Sequence, residues 1–289
     1  MAFSQLNALL GLIAALALAL YAFTRRDLSS TGTLAALFVG MIVFSFGGWT
    51  WFLLLVMFFV SSSWLTAFRE KDKAEVHGDF AKGGVRDFWQ VMANGSLPAL
   101  FALLFYLRGG GALLFVAFVG ALASATADTW ATELGVLSER PRMITNGRRV
   151  AKGASGAVSG IGLLAALGGA AFIAVCAVGL NMFNNYLADV QALGILRNYL
   201  VDLFVGGGRF IFVVTAAGFL GCLADSFFGA TIQGMFWCPK CKKETERHTH
   251  RCGFQTCYYK GFTFVDNDIV NFMSACFGAL AAIALYELL

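Results

Sequence analysis

Apolar runs of about 20 residues recur along the whole chain, separated by short polar segments that carry nearly all of its charge. A run of that length crosses the ~30 Å hydrocarbon core of a bilayer as a helix. Within lipid, only a helix or a closed barrel satisfies its own backbone hydrogen bonds. The candidate spans are Leu6–Phe23, Leu34–Gly47, Trp49–Phe68, Phe88–Leu107, Ala112–Leu134, Ser155–Leu180, Arg209–Met235 and Ile269–Leu288. The second is short, and Asp202 with the Gly206-Gly207-Gly208 break makes the entry to the seventh irregular. With 58% hydrophobic and 13% charged residues and a mean hydropathy of +0.72, these 289 residues have too little polar surface to cover a water-soluble globule. The expected fold is all-α: a polytopic membrane helix bundle of about eight transmembrane helices, one domain over 1–289, with a small Cys/His loop at 237–260.

The basic residues orient the bundle. Those that follow spans one, three, five and seven number 18 of the 21 Lys and Arg, leaving only Arg108, Arg197 and Arg209 on the other side. The positive-inside bias then puts these loops in the cytoplasm and both termini outside. Met1 to Asn7 carries no Lys or Arg, so the first run reads as a retained span and not a secretory signal. A net charge of +4, confined almost wholly to these loops, suits anionic headgroups and phosphates; nothing resembles a nucleic-acid module. The sequence leaves the oligomeric state open.

Acids inside such runs are the strongest chemical signal. Asp128, in Ala127-Asp128-Thr129, and Asp225, in Ala224-Asp225-Ser226, each sit among small residues and form a weak internal repeat. An ionisable residue within a span costs about 2.5–3.5 kcal/mol on insertion scales and is read as functional by default. Small residues alone would mark a tight helix pair, and a polar site between repeats would also suit a carrier of an anionic metabolite. Asp128 and Glu133 are five residues apart, about 140° around a helix, and should not share one ion. A third acidic group, Asp266, Asn267, Asp268 and Asn271, opens the last span; helix capping accounts for one of these residues but poorly for four.

Two basic, glycine-bearing segments accompany the acids. Asn146-Gly147-Arg148-Arg149-Val150-Ala151-Lys152-Gly153-Ala154-Ser155-Gly156 can neutralise phosphates through Arg148, Arg149 and Lys152, with a helix expected to begin near Ser155 and aim free N–H groups at an anion. Read alone, such a loop is also an ordinary topology signal. Upstream of span four, Arg86, Gln90 and Asn94 recur every four residues as one polar stripe, placed either to reach a lipid headgroup or to anchor the interface beside Phe88 and Trp89. No P-loop and no protein-kinase signature is present.

Of seven cysteines, Cys176, Cys222 and Cys276 lie in apolar runs and read as small core residues. Cys238-Pro-Lys-Cys241 followed by His250-Arg-Cys252 has the ligand types and spacing of a closed structural zinc site. His248 and Cys257 are spare ligands, and a redox-active Cys-x-x-Cys is the competing reading.

Four segments together resemble the membrane family called domain of unknown function 92, the group of transmembrane protein 19 and the plastid phytyl-phosphate kinase. They are Lys82-Gly83-Gly84-x-Arg86-Asp87-x-x-Gln90-x-x-x-Asn94-Gly95, Ala127–Gly135, Thr145–Gly156, and Cys238–Cys252 with Asp266–Asn271. Ala151 and Ala154 stand where the family carries Pro and Thr. The resemblance implies transfer of phosphate from a nucleoside triphosphate, CTP foremost, to an isoprenoid monophosphate, giving the diphosphate. A looser, fold-level similarity reaches phytol and dolichol kinases and the phosphatidate cytidylyltransferases. On this reading Mg²⁺ is held by Asp128 and Asp225, with Asp266, Asp268 and Asn271 assisting. Asp128, Asp225 and Lys152 carry catalysis; Arg148, Arg149, Lys152, Gly153 and Ser155 bind the nucleotide, while Arg86, Gln90 and Asn94 orient the lipid monophosphate. Cys238, Cys241, His250 and Cys252 hold the structural Zn²⁺. A cytidylyltransferase, releasing pyrophosphate, is the alternative enzyme.

Overall fold

A computed structural model describes residues 5–68, 82, 84–191 and 206–289. Gly83, the loop bases Arg69, Lys71 and Lys73, Arg197, and the Asp202 entry to the seventh span lie outside the described residues.

Eight helices form the bundle among the described residues: α1 (Gln5–Thr24), α2 (Ser30–Ile42), α3 (Trp49–Ala67), α4 (Phe88–Leu107), α5 (Ala112–Gly135), α6 (Gly160–Gln191), α7 (Gly208–Thr231) and α8 (Asn267–Leu288). Seven of them are long and apolar enough to cross a membrane; α1 supplies a shorter apolar stretch, Leu9–Thr24. The expected short second span reaches 18 residues because α2 starts at Ser30, capped by the Ser29 hydroxyl, and runs on through a π-helical turn at Val43–Gly47.

α5 is the central helix. Every residue from Val116 to Ala127 is buried, against α6, α7 and α8 on different sides. That explains why its sequence is small and apolar all round: lipid gives apolar helices no hydrophobic reason to associate, so close packing of small residues must hold them. Gly221 of α7 and Gly278 of α8 both lie against Ser124 of α5, where an added Cβ would come within 2.7 Å and 2.6 Å of Ser124 Cβ. Ser124 also donates a hydrogen bond of 3.0 Å to the Ser274 carbonyl of α8.

Two extramembrane segments depart from the helical pattern. Between α5 and α6, β1 (Arg142–Met143) and β2 (Ala157–Val158) pair antiparallel. After α7 come β3 (Met235–Cys238), β4 (Lys243–Thr245) and β5 (Cys257–Lys260), an antiparallel sheet in the order β4-β3-β5. The seventh span therefore stops at Thr231 and not at Met235. Gly234 donates to the Val265 carbonyl at 2.8 Å, and its Cα faces Phe262 too closely for a side chain, which turns the chain into the sheet.

Candidate functional site

Ser124 and Gly221 fix where the two intramembrane acids meet. α5 and α7 both end at the same pole of the bundle, and each carries its aspartate one turn beyond that crossing: Asp128 four residues after Ser124, Asp225 four after Gly221. The two carboxyl groups come within hydrogen-bonding reach of each other, and Ser274 of α8 lies against Asp225. They sit six and seven residues from their helix ends, about 9–11 Å inside the bundle. Asp225 Oδ2 is buried with no hydrogen-bond partner.

Above them opens a cavity of about 460 Å³. Its walls bring together Arg86, Gln90, Asn94, Asp128, Lys152, Gly153, Ser155, Asp225, Asp266, Asp268 and Asn271, every membrane-end site residue expected from the sequence except two. Arg148 and Arg149 are the exceptions; they are exposed on the β1–β2 hairpin and are not among the lining residues. Arg148 is taken up in the turn instead, its backbone N–H meeting Asn146 Oδ1 at 3.0 Å.

The basic loop reaches the rim because it docks on the end of α7. Gly156, at φ +82°, rests on Ala230 so closely that only glycine fits. The Ser155 hydroxyl lies 3.0 Å from the Gly229 carbonyl and 2.6 Å from Gln233 Oε1. This overturns the expectation of a helix beginning at Ser155: the turn at Gly156 leads into β2, and α6 starts at Gly160, with Ser159 Oγ accepting from Gly162 N. The cavity is thus lined by Lys152 and loop backbone ahead of the first turn of α6, where Ser159, Gly162 and Leu163 also border it.

The third acidic group is already engaged. Asp266 is exposed and caps α8, accepting from Ile269 N at 3.0 Å. Asp268, nearly buried, forms an ion pair with Lys82, which also pairs with Asp87 at 2.9 Å. Burial draws the Lys82 ammonium down, but its bonds to Asp268 and Asp87 outweigh that and hold it above its ordinary value. Lys82 opens one of the motifs quoted above, but the sequence concealed its pairing, because its partner is 186 positions away.

Arg86 is clamped by backbone as well as side chain. Its N–H and carbonyl bond to Asp27 and Ser29 across a close approach to Gly32, and its guanidinium donates to Ser63 Oγ at 2.7 Å, 5.4 Å from the Phe59 ring. Burial pulls that guanidinium below its usual value, against the pull of Asp27 and Glu133 upward. Gln90 closes a capping box with Asp87. Glu133 takes a 2.8 Å hydrogen bond from Thr66 and belongs to this side of the cavity, while Asp128 faces Asp225, as their separation around α5 requires.

The Cys/His segment also borders the cavity, through Phe236, Glu246 and His248. Gln233 Nε2 donates to Glu246 Oε1 at 3.0 Å and so ties this sheet to Ser155. Within it, the ligand atoms of Cys238, Cys241, His250 and Cys252 all lie within 4.8 Å of one another, a group that could hold a metal ion. The hydrogen bond with His250 draws the Cys252 thiol down to about 6, while the contact with Cys252 pushes the Cys241 thiol up to about 11. His248 packs against Phe236 in a tilted ring pair, centroids 4.3 Å apart, and Cys257 lies exposed on β5, both outside this group. Cys222, read as plain core, also borders the cavity near the two aspartates.

A polytopic helical membrane protein with a polar, acid-floored cavity at one pole is the class these features define. The chain belongs to the integral membrane protein DUF92 family, whose profile covers residues 13–279. It is similar to Protein PGR of Arabidopsis thaliana, 30% identical over 284 residues, 93% of each chain. It is also similar to an uncharacterized membrane protein of Methanocaldococcus jannaschii, 31% identical over 222 residues, 75% of this chain and 79% of that one. No solved structure matches it.

Proposed function

We propose that this protein is a membrane phosphotransferase that moves the terminal phosphate of a nucleoside triphosphate, CTP foremost, onto a prenyl monophosphate. The observation that carries it is the meeting of Asp128 and Asp225 in a cavity that Lys152 and Arg86 also line. The motif resemblance to the phytyl-phosphate kinase group supports the choice of reaction, and the loop charges support a cavity that opens to the cytoplasm.

The residues fit a divalent cation. Mg²⁺ is commonly bound through one or two carboxylates plus substrate phosphates, and Asp225 Oδ2 is a buried oxygen lacking a hydrogen-bond partner. Asp128 and Asp225 would hold it, with Asn271 in the adjoining wall; when bound, Mg²⁺ supplies charge neutralisation to the donor phosphates. Lys152 and the glycine-flanked loop bind the rest of the donor's charge. Arg86 holds the acceptor phosphate in line. An acceptor oxygen forms the new bond to the donor's terminal phosphorus, the bond from that phosphorus to the departing oxygen breaks, and CDP leaves. The acceptor is already anionic, so no general base is required.

The Cys/His group fits zinc. A tetrahedron with Zn–S bonds of about 2.3 Å separates two sulfurs by about 3.8 Å; Cys238 and Cys252 Sγ are 3.7 Å apart. Four protein ligands close the coordination shell, so this zinc would staple the cavity wall.

Purified protein given γ-labelled CTP, Mg²⁺ and prenyl monophosphates should yield labelled prenyl diphosphate and CDP. Release of pyrophosphate with no label in the lipid would establish cytidylyl transfer instead.

A further inference from the structure

A second hollow, of about 80 Å³, lies among α1, α2, α3 and α4. Its walls are apolar: Leu18 of α1, Ala36 and Val39 of α2, Leu55 and Phe58 of α3. Arg86, Gln90, Asn94 and Thr129 line both this hollow and the main cavity. The two spaces therefore share one boundary, polar on one side and hydrocarbon on the other. The guanidinium at that boundary is held in place by Ser63 and the Phe59 ring.

A nucleotide has no use for the apolar side, since placing its charged or polar groups there would leave them without partners. An anion with a hydrocarbon chain fits both sides at once. At roughly 10–15 Å³ for each water-sized group, the hollow takes about five to eight such groups, the size of one five-carbon branched unit. A longer chain would have to continue from it into the lipid.

Building on the phosphotransfer reading, we propose that this hollow binds the first isoprene unit of the prenyl monophosphate, with its phosphate against Arg86 and its remaining chain passing into the bilayer. The hollow is a specificity site: it accepts a methyl-branched chain end and excludes a bulkier group next to the phosphate.

The test uses a geranyl monophosphate carrying a diazirine on its first isoprene unit, photolysed with the full-length protein, and the adducts mapped by mass spectrometry. Adducts on Ala36, Leu55 or Phe58, suppressed by excess unlabelled prenyl monophosphate, are expected. Adducts confined to the outward-facing Leu34, Phe38 and Trp64 would overturn the proposal. In kinetics, Ala36→Leu should raise KM for prenyl monophosphates about tenfold or more and leave KM for CTP unchanged. Leu55→Ala, which enlarges the hollow, should admit acceptors with a bulkier first unit. Wild-type kinetics for prenyl acceptors in both variants would also overturn it. Should the wild-type protein transfer no phosphate to any acceptor, the phosphotransfer reading fails, and the adduct map alone then decides the hollow.

Discussion

Gly221→Ala should separate the two aspartates without touching either. A Cβ at Gly221 would lie 2.7 Å from Ser124 Cβ, where ordinary contact is 3.4–4 Å, so α5 and α7 must part by about 0.7–1.3 Å at their crossing. Overpacking of this kind costs about 1–3 kcal/mol, and about 1 kcal/mol of helix propensity offsets part of it, leaving a net loss of about 0–2 kcal/mol. The effect on chemistry should be larger. Asp128 and Asp225 lie one turn from the crossing, and a misplacement of about 1 Å can cost about 100-fold in rate. Transfer of label from γ-labelled CTP should fall by that order while the melting temperature in detergent moves little. Ser124→Gly in the same chain removes the obstructing atoms, leaving Gly278 Cα at 3.3 Å as the nearest neighbour, and should restore most of the activity. It gives up the Ser124–Ser274 bond, worth about 0.6 kcal/mol in a membrane. Full activity in Gly221→Ala, or a double variant no better than the single, would refute the reasoning.

Cys238→Ser should lose the metal of the Cys/His group and open β3 to β5 to trypsin at Lys240, Lys242 and Lys243; unchanged metal content by mass spectrometry would remove that assignment. Gln233→Ala should uncouple the sheet from Ser155 and raise KM for CTP severalfold with the metal content unchanged, as checked by steady-state kinetics alongside metal analysis. Burial would raise the Asp87 carboxyl, but bonds from Gln90 and Lys82 outweigh this and hold it below its ordinary value of 3.8. Its contribution is then complete above that value and is lost as pH falls through its lowered folded value, so Asp87→Asn should flatten the acid limb of stability below about pH 4 in a thermal-melt series.

Helices and acids were legible in the sequence because lipid permits so few solutions: hydropathy located the bundle, and the matching surroundings of Asp128 and Asp225 pointed to a shared pocket. The Cys/His group was legible because its four ligands lie close in sequence. What stayed hidden depends on contacts between distant segments. The start of α6 moved from Ser155 to Gly160 because Gly156 docks on Ala230 of α7, a contact no local pattern encodes. Lys82 belonged to a recognised motif but had no assigned role until the fold set it on Asp268, which also occupied a carboxylate expected to bind Mg²⁺. Arg148 and Arg149 share the charge of Lys152, but the hairpin turns them outward. The β4-β3-β5 sheet consists of strands of three or four residues, too short to announce themselves by alternation.

The most direct measurement is of the divalent ion itself: Mn²⁺ titrated in place of Mg²⁺ into purified protein with CTP, followed by electron paramagnetic resonance. A bound-Mn²⁺ signal should appear in the wild type and vanish in both Asp128→Asn and Asp225→Asn, with melting temperature and Cys/His metal content preserved. Undiminished Mn²⁺ binding in either variant would contradict the assignment of the paired aspartates as the cation site.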